Sequence, residues 1–336
     1  MNYDISTIMR EYDQKRSYAI SLSETSKDEI YHNNPKLVEI DREISKLGIE
    51  ASRCALTSNE EERAKRISVL FEKIDKLKAQ KQEIIKNSNI VILPKFECSK
   101  CNDTGYINKD GKTVMCSCLK QRIIDEYYSK SNLYRLKTEN FSKFNENLYS
   151  DKANKEKYGF DKSPRQNINN IKKISMKFVE NFDNEDTKDL LFLGTAGTGK
   201  TFLSSCIANE IIKKGHTVLY QTAPTLFDSI FNNKFQNNDN AKEIYNDIYN
   251  VDLLIIDDLG TEASSSAKFA ELFSIINSRL LNPSTKTIIS SNTDWVNLNK
   301  LYDDRIISRI RGCYDICFFY GDDIRITTKN KTTKKD

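Results

Sequence analysis

Residues 190–201 read LLFLGTAGTGKT, a short apolar run followed by a turn of small residues, a lysine and a threonine. Gly194, Thr195, Ala196, Gly197, Thr198, Gly199, Lys200 and Thr201 fit the phosphate-loop pattern G-x-x-x-x-G-K-[ST]. Glycines let successive backbone N–H groups curl around phosphate oxygens, and the helix that follows turns the positive end of its dipole toward the same anion. Lys200 is then placed for the β- and γ-phosphates, and the Thr201 hydroxyl for Mg²⁺. A strand, a glycine loop and a helix in this order imply an α/β nucleotide-binding domain.

The chain on the C-terminal side alternates as such a domain requires. A helix over 201–214 carries Leu203, Cys206, Ile207 and Ile211 on one face and stops at Gly215. A strand over 217–221 follows, then a helix around 226–231 and the Asn-rich stretch NNKFQNNDNAK, which reads as an exposed loop. VDLLIIDD at 251–258 is a continuous apolar run, as expected of a parallel strand buried on both faces, and it ends in two acids. In a phosphate-loop protein an acid at this strand end holds Mg²⁺, which selects Asp257, and leaves Asp258 to orient or activate the attacking water. A helix over 267–281 leads to the strand KTIISS at 286–291, whose end presents Asn292 to the γ-phosphate region.

On the N-terminal side, residues 1–33 are polar with weak periodicity and predict one or two short helices. Leu37, Ile40, Ile44, Leu47, Ala51 and Cys54 then form an apolar seam, and Ile67, Leu70, Ile74, Leu77 and Ile84 form a second. Ser58 with Glu61 resembles a capping box that starts the second helix. Each seam alone also suits a solvated charged helix, but two in succession predict an antiparallel hairpin, a docking arm for a protein partner. After Pro94 the chain changes to FECSKCNDTGYINKDGKTVMCSCLKQR. Cys98 with Cys101 and Cys116 with Cys118 are two close pairs across a turn-rich span, the supply of ligands for a tetrahedral Cys₄ zinc site. Such a site leaves no open position, so the Zn²⁺ is structural rather than catalytic, and it stands against a redox or merely packed set. Residues 123–172, rich in Asn, Lys, Asp and Ser and broken at Ser163-Pro164, read as a linker, with a helix over 170–182 beyond it.

Composition excludes little. The chain has 336 residues, with 52 basic and 48 acidic side chains and a net charge of +4, so no charge excess announces nucleic acid or membrane. No apolar run approaches the length that spans a bilayer, and the start lacks the order of a secretory signal, which predicts a cytoplasmic protein without a membrane partner. Eight cysteines in that setting argue for metal or packing before disulfides. The expected organisation is a helical partner-binding region (1–92), a zinc module (93–130), a linker (131–172), an ATPase domain (173–328) and a basic tail (329–336).

GTAGTGKT, LLIIDDLGTE, IISSN and DDRIISRIRG occur in the order and at the spacing of AAA+ ATPases. Over residues 143–326 the chain resembles the bacterial replicative-helicase loaders of the DnaC/DnaI type, and CSKCNDTGY…CSC resembles the zinc module that precedes the ATPase domain of DnaI-type loaders. The resemblance implies a fold of class α/β, an AAA+ P-loop domain with a parallel sheet behind a helical hairpin and a small Cys₄ module. It implies ATP as the nucleotide, its hydrolysis, a replicative DNA helicase and single-stranded DNA as partners, and self-association in the ATP state. It further implies that Asn292 is the first sensor, Arg309 a finger offered to a neighbouring subunit, and Arg325 the second sensor, with Arg305 the competing finger. One departure stands out: many AAA+ members have Asp-Glu where this chain has Asp257-Asp258, and the shorter reach of the second acid implies either slow turnover or Glu262 as an assisting acid. A transposition-helper ATPase of the IstB type and a non-catalytic ATP-switched adaptor are the alternatives.

Overall fold

The computed structural model describes residues 5–54, 60–87, 93–127, 138–234, 247–263 and 265–326. The expected capping box at Ser58 and Glu61, the side chains of Lys234 and Phe235, a basic and an aromatic residue of the Asn-rich stretch that would suit single-stranded DNA, and the basic tail at 329–336 lie outside what it describes. The described chain divides into two units, one up to residue 114 and one from residue 115 onward.

The first unit opens with α1 (Ile5–Asn33), a single helix of 29 residues rather than the short helices expected. No Gly or Pro interrupts it, and Ile8, Tyr12, Ala19, Ser23 and Ile30 are buried at alternating steps of four and seven. That stripe is helical in period but includes Ser, Ala and Tyr, so it stands out poorly from the polar background. Helix α2 (Pro35–Cys54) buries Leu37, Ile40 and Ala51, and α3 (Glu60–Asn87) answers with Leu70 and Ile74. Asp41, early in α2, accepts hydrogen bonds from Lys81 late in α3 (2.5 Å) and from Tyr31 of α1 (2.5 Å). The pair α2–α3 is therefore antiparallel, as the two seams predicted.

A two-stranded hairpin follows, β1 (Tyr106–Lys109) and β2 (Lys112–Met115). Its turn is Asp110-Gly111, both at positive φ (52° and 78°), the pairing that a tight hairpin with the twist of its strands prefers. Helix α4 (Ser117–Tyr127) comes next and belongs to the second unit. There its Ile124 joins the core, and Gln121 both donates to Val218 O (3.0 Å) and accepts from Val218 N (2.6 Å).

The expected linker differs from what the structure shows. Among its described residues, Tyr149 is buried in the α/β core, with Phe141, Phe144 and Leu148 packed beside it. The polar residues between these aromatics make turns: the side chains of Asn140 and Asn145 each cap a one-turn 3₁₀ helix. Helix α5 runs Pro164–Glu180 and starts six residues earlier than predicted. Ser163-Pro164, read as a break, is a start: Ser163 and Gln166 form a reciprocal capping box and Pro164 fills the first helical position.

The rest is a five-stranded parallel sheet with helices on both faces. In chain order it comprises β3 (Asp189–Gly194), α6 (Lys200–Lys213), β4 (Val218–Thr222), α7 (Ala223–Lys234), β5 (Leu253–Asp257), α8 (Ser266–Leu280), β6 (Lys286–Ser291), α9 (Trp295–Leu301), α10 (Asp304–Cys313) and β7 (Tyr314–Phe319). The strand order is β4-β5-β6-β3-β7, with β3 between β6 and β7 (Leu190 opposite Ile288, Asp189 opposite Tyr314). Successive side chains of a strand face opposite sides, so Leu191, Leu193, Leu254, Ile256 and Ile289 enter one core, and Leu190, Phe192, Leu253, Ile255 and Ile288 the other. Burial on both faces is why these strands read as unbroken apolar runs. The carboxyl ends of β3, β5 and β6 meet at one edge of the sheet, where the site lies.

Candidate nucleotide-binding site

The glycine loop leaves β3 at Gly194 and enters α6 at Lys200. Gly197 and Gly199 adopt positive φ (74° and 99°), and neither has room for a Cβ. One on Gly197 would stand 2.1 Å from the Asp323 carboxyl carbon, and one on Gly199 2.3 Å from the Tyr149 hydroxyl oxygen. Lys200 is only 4% exposed, so it is not a loose surface charge. Its Nζ donates to Gly194 O (2.6 Å), Thr195 O (2.9 Å) and Asn292 Oδ1 (2.7 Å). Loss of water around the ammonium pushes its pKa down to about 8, against the pull of Asp258 and Asp257. Around the loop lies a cavity of about 480 Å³, walled also by Glu139, Phe202, Asp258, Asn292, Ile324 and Arg325.

The two acids at the end of β5 are treated differently by their surroundings. Asp257 is buried, and three hydroxyls hold its carboxylate: Thr201 (3.0 Å) and Tyr220 (2.9 Å) donate to Oδ2, and Ser290 donates to Oδ1. This set places the threonine of the loop against the strand-end acid, the pairing that a hard, oxygen-seeking cation needs, so the residues fit Mg²⁺. Asp258 lines the cavity, accepts from Asn292 Nδ2 (2.9 Å) and has a φ of 56°. Asp is among the few L-residues that enter this left-handed region readily, which gives a local reason for the shorter acid here. Its backbone N–H is held by Ser290 Oγ (3.1 Å). Glu262, the expected assistant, is engaged elsewhere: one oxygen accepts from Gly260 N (2.8 Å) and the other from the Tyr302 hydroxyl, and it does not line the cavity.

The arginines also separate. Arg325 lines the cavity while its guanidinium is paired with Asp323 (Nη2 to Oδ2, 2.7 Å). Arg309 does not line it; Nε donates to Asn277 Oδ1 (2.8 Å) and the guanidinium lies 4.6 Å from the centre of the Phe273 ring. Arg305 is 5.0 Å from the same ring but is paired with Asp303 in two contacts of 3.0 Å.

Cys98, Cys101, Cys116 and Cys118 place their sulfur atoms within 4.8 Å of one another. The first pair sits in a tight knuckle. Asn102 N donates to Cys98 O (2.9 Å), Asn102 and Asp103 take positive φ, and the Asp103 carboxylate accepts from Glu97 N (2.9 Å) and Cys98 N (2.8 Å). The second pair lies at the start of α4, where Cys116 O accepts from Leu119 N and Lys120 N. A helix N-terminus favours thiolate over thiol, which suits the close C-x-C spacing to metal binding. Four soft donors without a carboxylate fit Zn²⁺.

Sequence reasoning missed Glu139, Tyr149, Phe202, Tyr220 and Ser290. Each reaches the site from a different element, and only the double serine ahead of Asn292 gave a local hint.

The family model described as IstB-like ATP binding protein matches residues 122–311, more than half of the chain. The replicative helicase loader DnaC of Escherichia coli (strain K12) is 31% identical over 136 residues, 40% of this chain and 54% of that protein. DnaC of Buchnera aphidicola subsp. Baizongia pistaciae is 34% identical over 139 residues, 41% of this chain and 55% of that protein. The chain thus spans about half the length of the curated relatives it matches. Among solved structures, the DnaC helicase loader matches with a TM-score of 0.42 at 24% identity, covering 45% of this chain and 89% of that one. DnaI matches with a TM-score of 0.40 at 26% identity, covering 54% of this chain and 94% of that one.

Proposed function

The chain belongs to the family of IstB-like ATP-binding proteins, and from that premise we propose that it is an ATP-hydrolysing loader that engages a replicative DNA helicase and promotes its loading on single-stranded DNA. The observation that carries the catalytic part is the chain Lys200–Asn292–Asp258, which puts a cation, an amide and a carboxylate along one wall of the cavity. Gly194 to Thr201 cradle the phosphates of ATP, and Lys200 meets the β- and γ-oxygens. Thr201 and Asp257 hold Mg²⁺, which when bound neutralises charge on the phosphate oxygens. Asp258 accepts a proton from, or orients, the attacking water, and Asn292 fixes both that carboxylate and Lys200. Arg325 acts on the ATP of its own chain, leaving Asp323 to do so. Arg309, outside the cavity, acts on the ATP of a neighbouring subunit in an ATP-dependent assembly.

The helical N-terminal region of residues 1–92 grips the helicase, and Zn²⁺ on the four cysteines would supply folding energy to a segment with little apolar surface of its own. None of the described helices is long and apolar enough to cross a membrane. The test immobilises the full chain with ATP and Mg²⁺, identifies what it retains from host lysate, and then measures transfer of the purified helicase onto single-stranded DNA. Retention of a replicative helicase and ATP-dependent transfer are expected. Retention of a transposase selects the transposition-helper reading, and transfer without hydrolysis selects the adaptor.

A further inference from the structure

Glu139 stands apart from the phosphate chemistry of the cavity. It lies in the segment expected to be a linker, yet it lines the nucleotide cavity, and its backbone carbonyl accepts from Asn209 Nδ2 (3.4 Å), about two and a half turns along α6 from Lys200. Its Oε2 is buried and accepts no hydrogen bond among the described residues. A buried acceptor without a donor costs free energy, a cost that a donor on a bound ligand removes. The cavity residues that suit phosphate and Mg²⁺, namely Lys200, Thr201, Asp258 and Asn292, are all placed by strand ends or the glycine loop. Phe202 and Ile324 instead offer apolar surface to the same cavity, and Glu139 is the lining carboxylate other than Asp258.

An apolar surface with one carboxylate acceptor is suited to a flat aromatic base that carries an exocyclic N–H donor. We propose that Glu139 is a specificity-determining residue that accepts a hydrogen bond from the exocyclic amino group of adenine. The inference rests on the ATP-binding reading and deepens it. An ionised carboxylate can only accept, so a base with a carbonyl oxygen in place of the amine meets acceptor with acceptor, and a buried polar group left unpaired is what gives a site discrimination. Ribose hydroxyls are donors too, but they would be read equally whichever base is attached.

The experiment measures equilibrium binding of ATP, ITP, GTP and 2′-deoxy-ATP to the full chain and to Glu139→Gln and Glu139→Ala, with thermal unfolding of each variant as a check on folding. ITP differs from ATP in carrying an oxygen where adenine has its amine. The wild type is expected to prefer ATP over ITP by roughly tenfold or more. Glu139→Gln, whose amide can turn to donate or accept, should bring ATP and ITP within about threefold of each other, and Glu139→Ala should weaken ATP more than ITP. An ATP-to-ITP ratio unchanged in both folded variants overturns the assignment, as does wild-type binding of GTP or ITP as tight as that of ATP. A change confined to the ratio of ATP to 2′-deoxy-ATP overturns it in favour of the ribose. If none of the nucleotides binds the wild type, the ATP-binding reading itself fails, an outcome distinct from the others.

Discussion

Gln121 and Val218 exchange two hydrogen bonds, so that one side-chain amide completes the backbone pairing of an edge strand of the sheet. The contact joins α4, which begins beside Cys116 and Cys118, to β4, whose Tyr220 donates to Asp257. Gln121→Leu leaves a buried N–H and a buried C=O without partners, and each costs about 1–3 kcal/mol. Urea unfolding should report a loss of about 2–6 kcal/mol, and amide exchange at Val218 should accelerate; an unchanged exchange rate would show that the clasp does not protect the strand.

Nucleotide binding should depend on pH through Lys200. Burial lowers its folded-state pKa to about 8, so the ammonium is present below that value and is lost as pH rises through it. Bound phosphate favours the charged form and raises the pKa, so binding takes up a proton above about pH 8. The dissociation constant should then rise, approaching tenfold per pH unit, until the pKa of the bound state is reached. Titration calorimetry at pH 8.5 in two buffers of different ionisation enthalpy measures the uptake directly. Lys200→Ala should remove binding at every pH and the dependence with it.

Asp258→Asn keeps the shape and the tolerance for left-handed backbone but removes the carboxylate charge. ATP affinity should stay within about threefold while hydrolysis falls by a factor of about 10²–10⁴. Asp258→Glu should in addition lower stability by about 1 kcal/mol, because the longer side chain sits less readily at a φ of 56°. Equal turnover in the wild type and Asp258→Asn would remove Asp258 from the mechanism.

One zinc per chain is expected from elemental analysis of the purified protein. Chelation, or Cys101→Ser at a buried ligand, should unfold the knuckle and abolish retention of the helicase, while ATP binding by the second unit persists. Protein purified without metal that retains full partner binding would refute a structural zinc.

Arg309→Ala and Lys200→Ala proteins should each lack hydrolysis. If Arg309 works in trans, mixing the two restores part of it, because one supplies an intact nucleotide site and the other an intact finger. No recovery under conditions where the subunits associate would assign Arg309 to its present contacts, Asn277 and the Phe273 ring.

The glycine loop and the acids of β5 were legible in the sequence because the chemistry and the conformation that creates it are encoded within a few consecutive residues. Asn292 was legible only through the strand that ends before it. Glu139 and Tyr149 were not, since a lone acid or aromatic in a polar stretch has no period of its own, and the turns that carry these side chains inward are built by the same Asn and Ser residues that suggested a linker. Helix α1 was lost for the opposite reason: its period is regular, but Ala19 and Ser23 dilute the apolar stripe. Ser163-Pro164 shows that one dipeptide signals both an interruption and a beginning, and Gln166 decides between them.

The position of β3 in the sheet has a bearing on how the protein is made. Its neighbours are β6 and β7, and the pairing of Asp189 with Tyr314 closes a loop that spans most of the second unit. A ribosome releases the chain from its N-terminus, so β3 emerges with both edges unpaired, one until β6 appears and the other until β7, the last strand. The contacts that complete the sheet are long-range, and sheets of that kind form slowly. The helical unit, whose contacts are between successive helices, can be finished long before. For an interval of synthesis the nascent protein therefore carries a completed arm and an unclosed sheet, with β3 as the strand most in need of protection from aggregation.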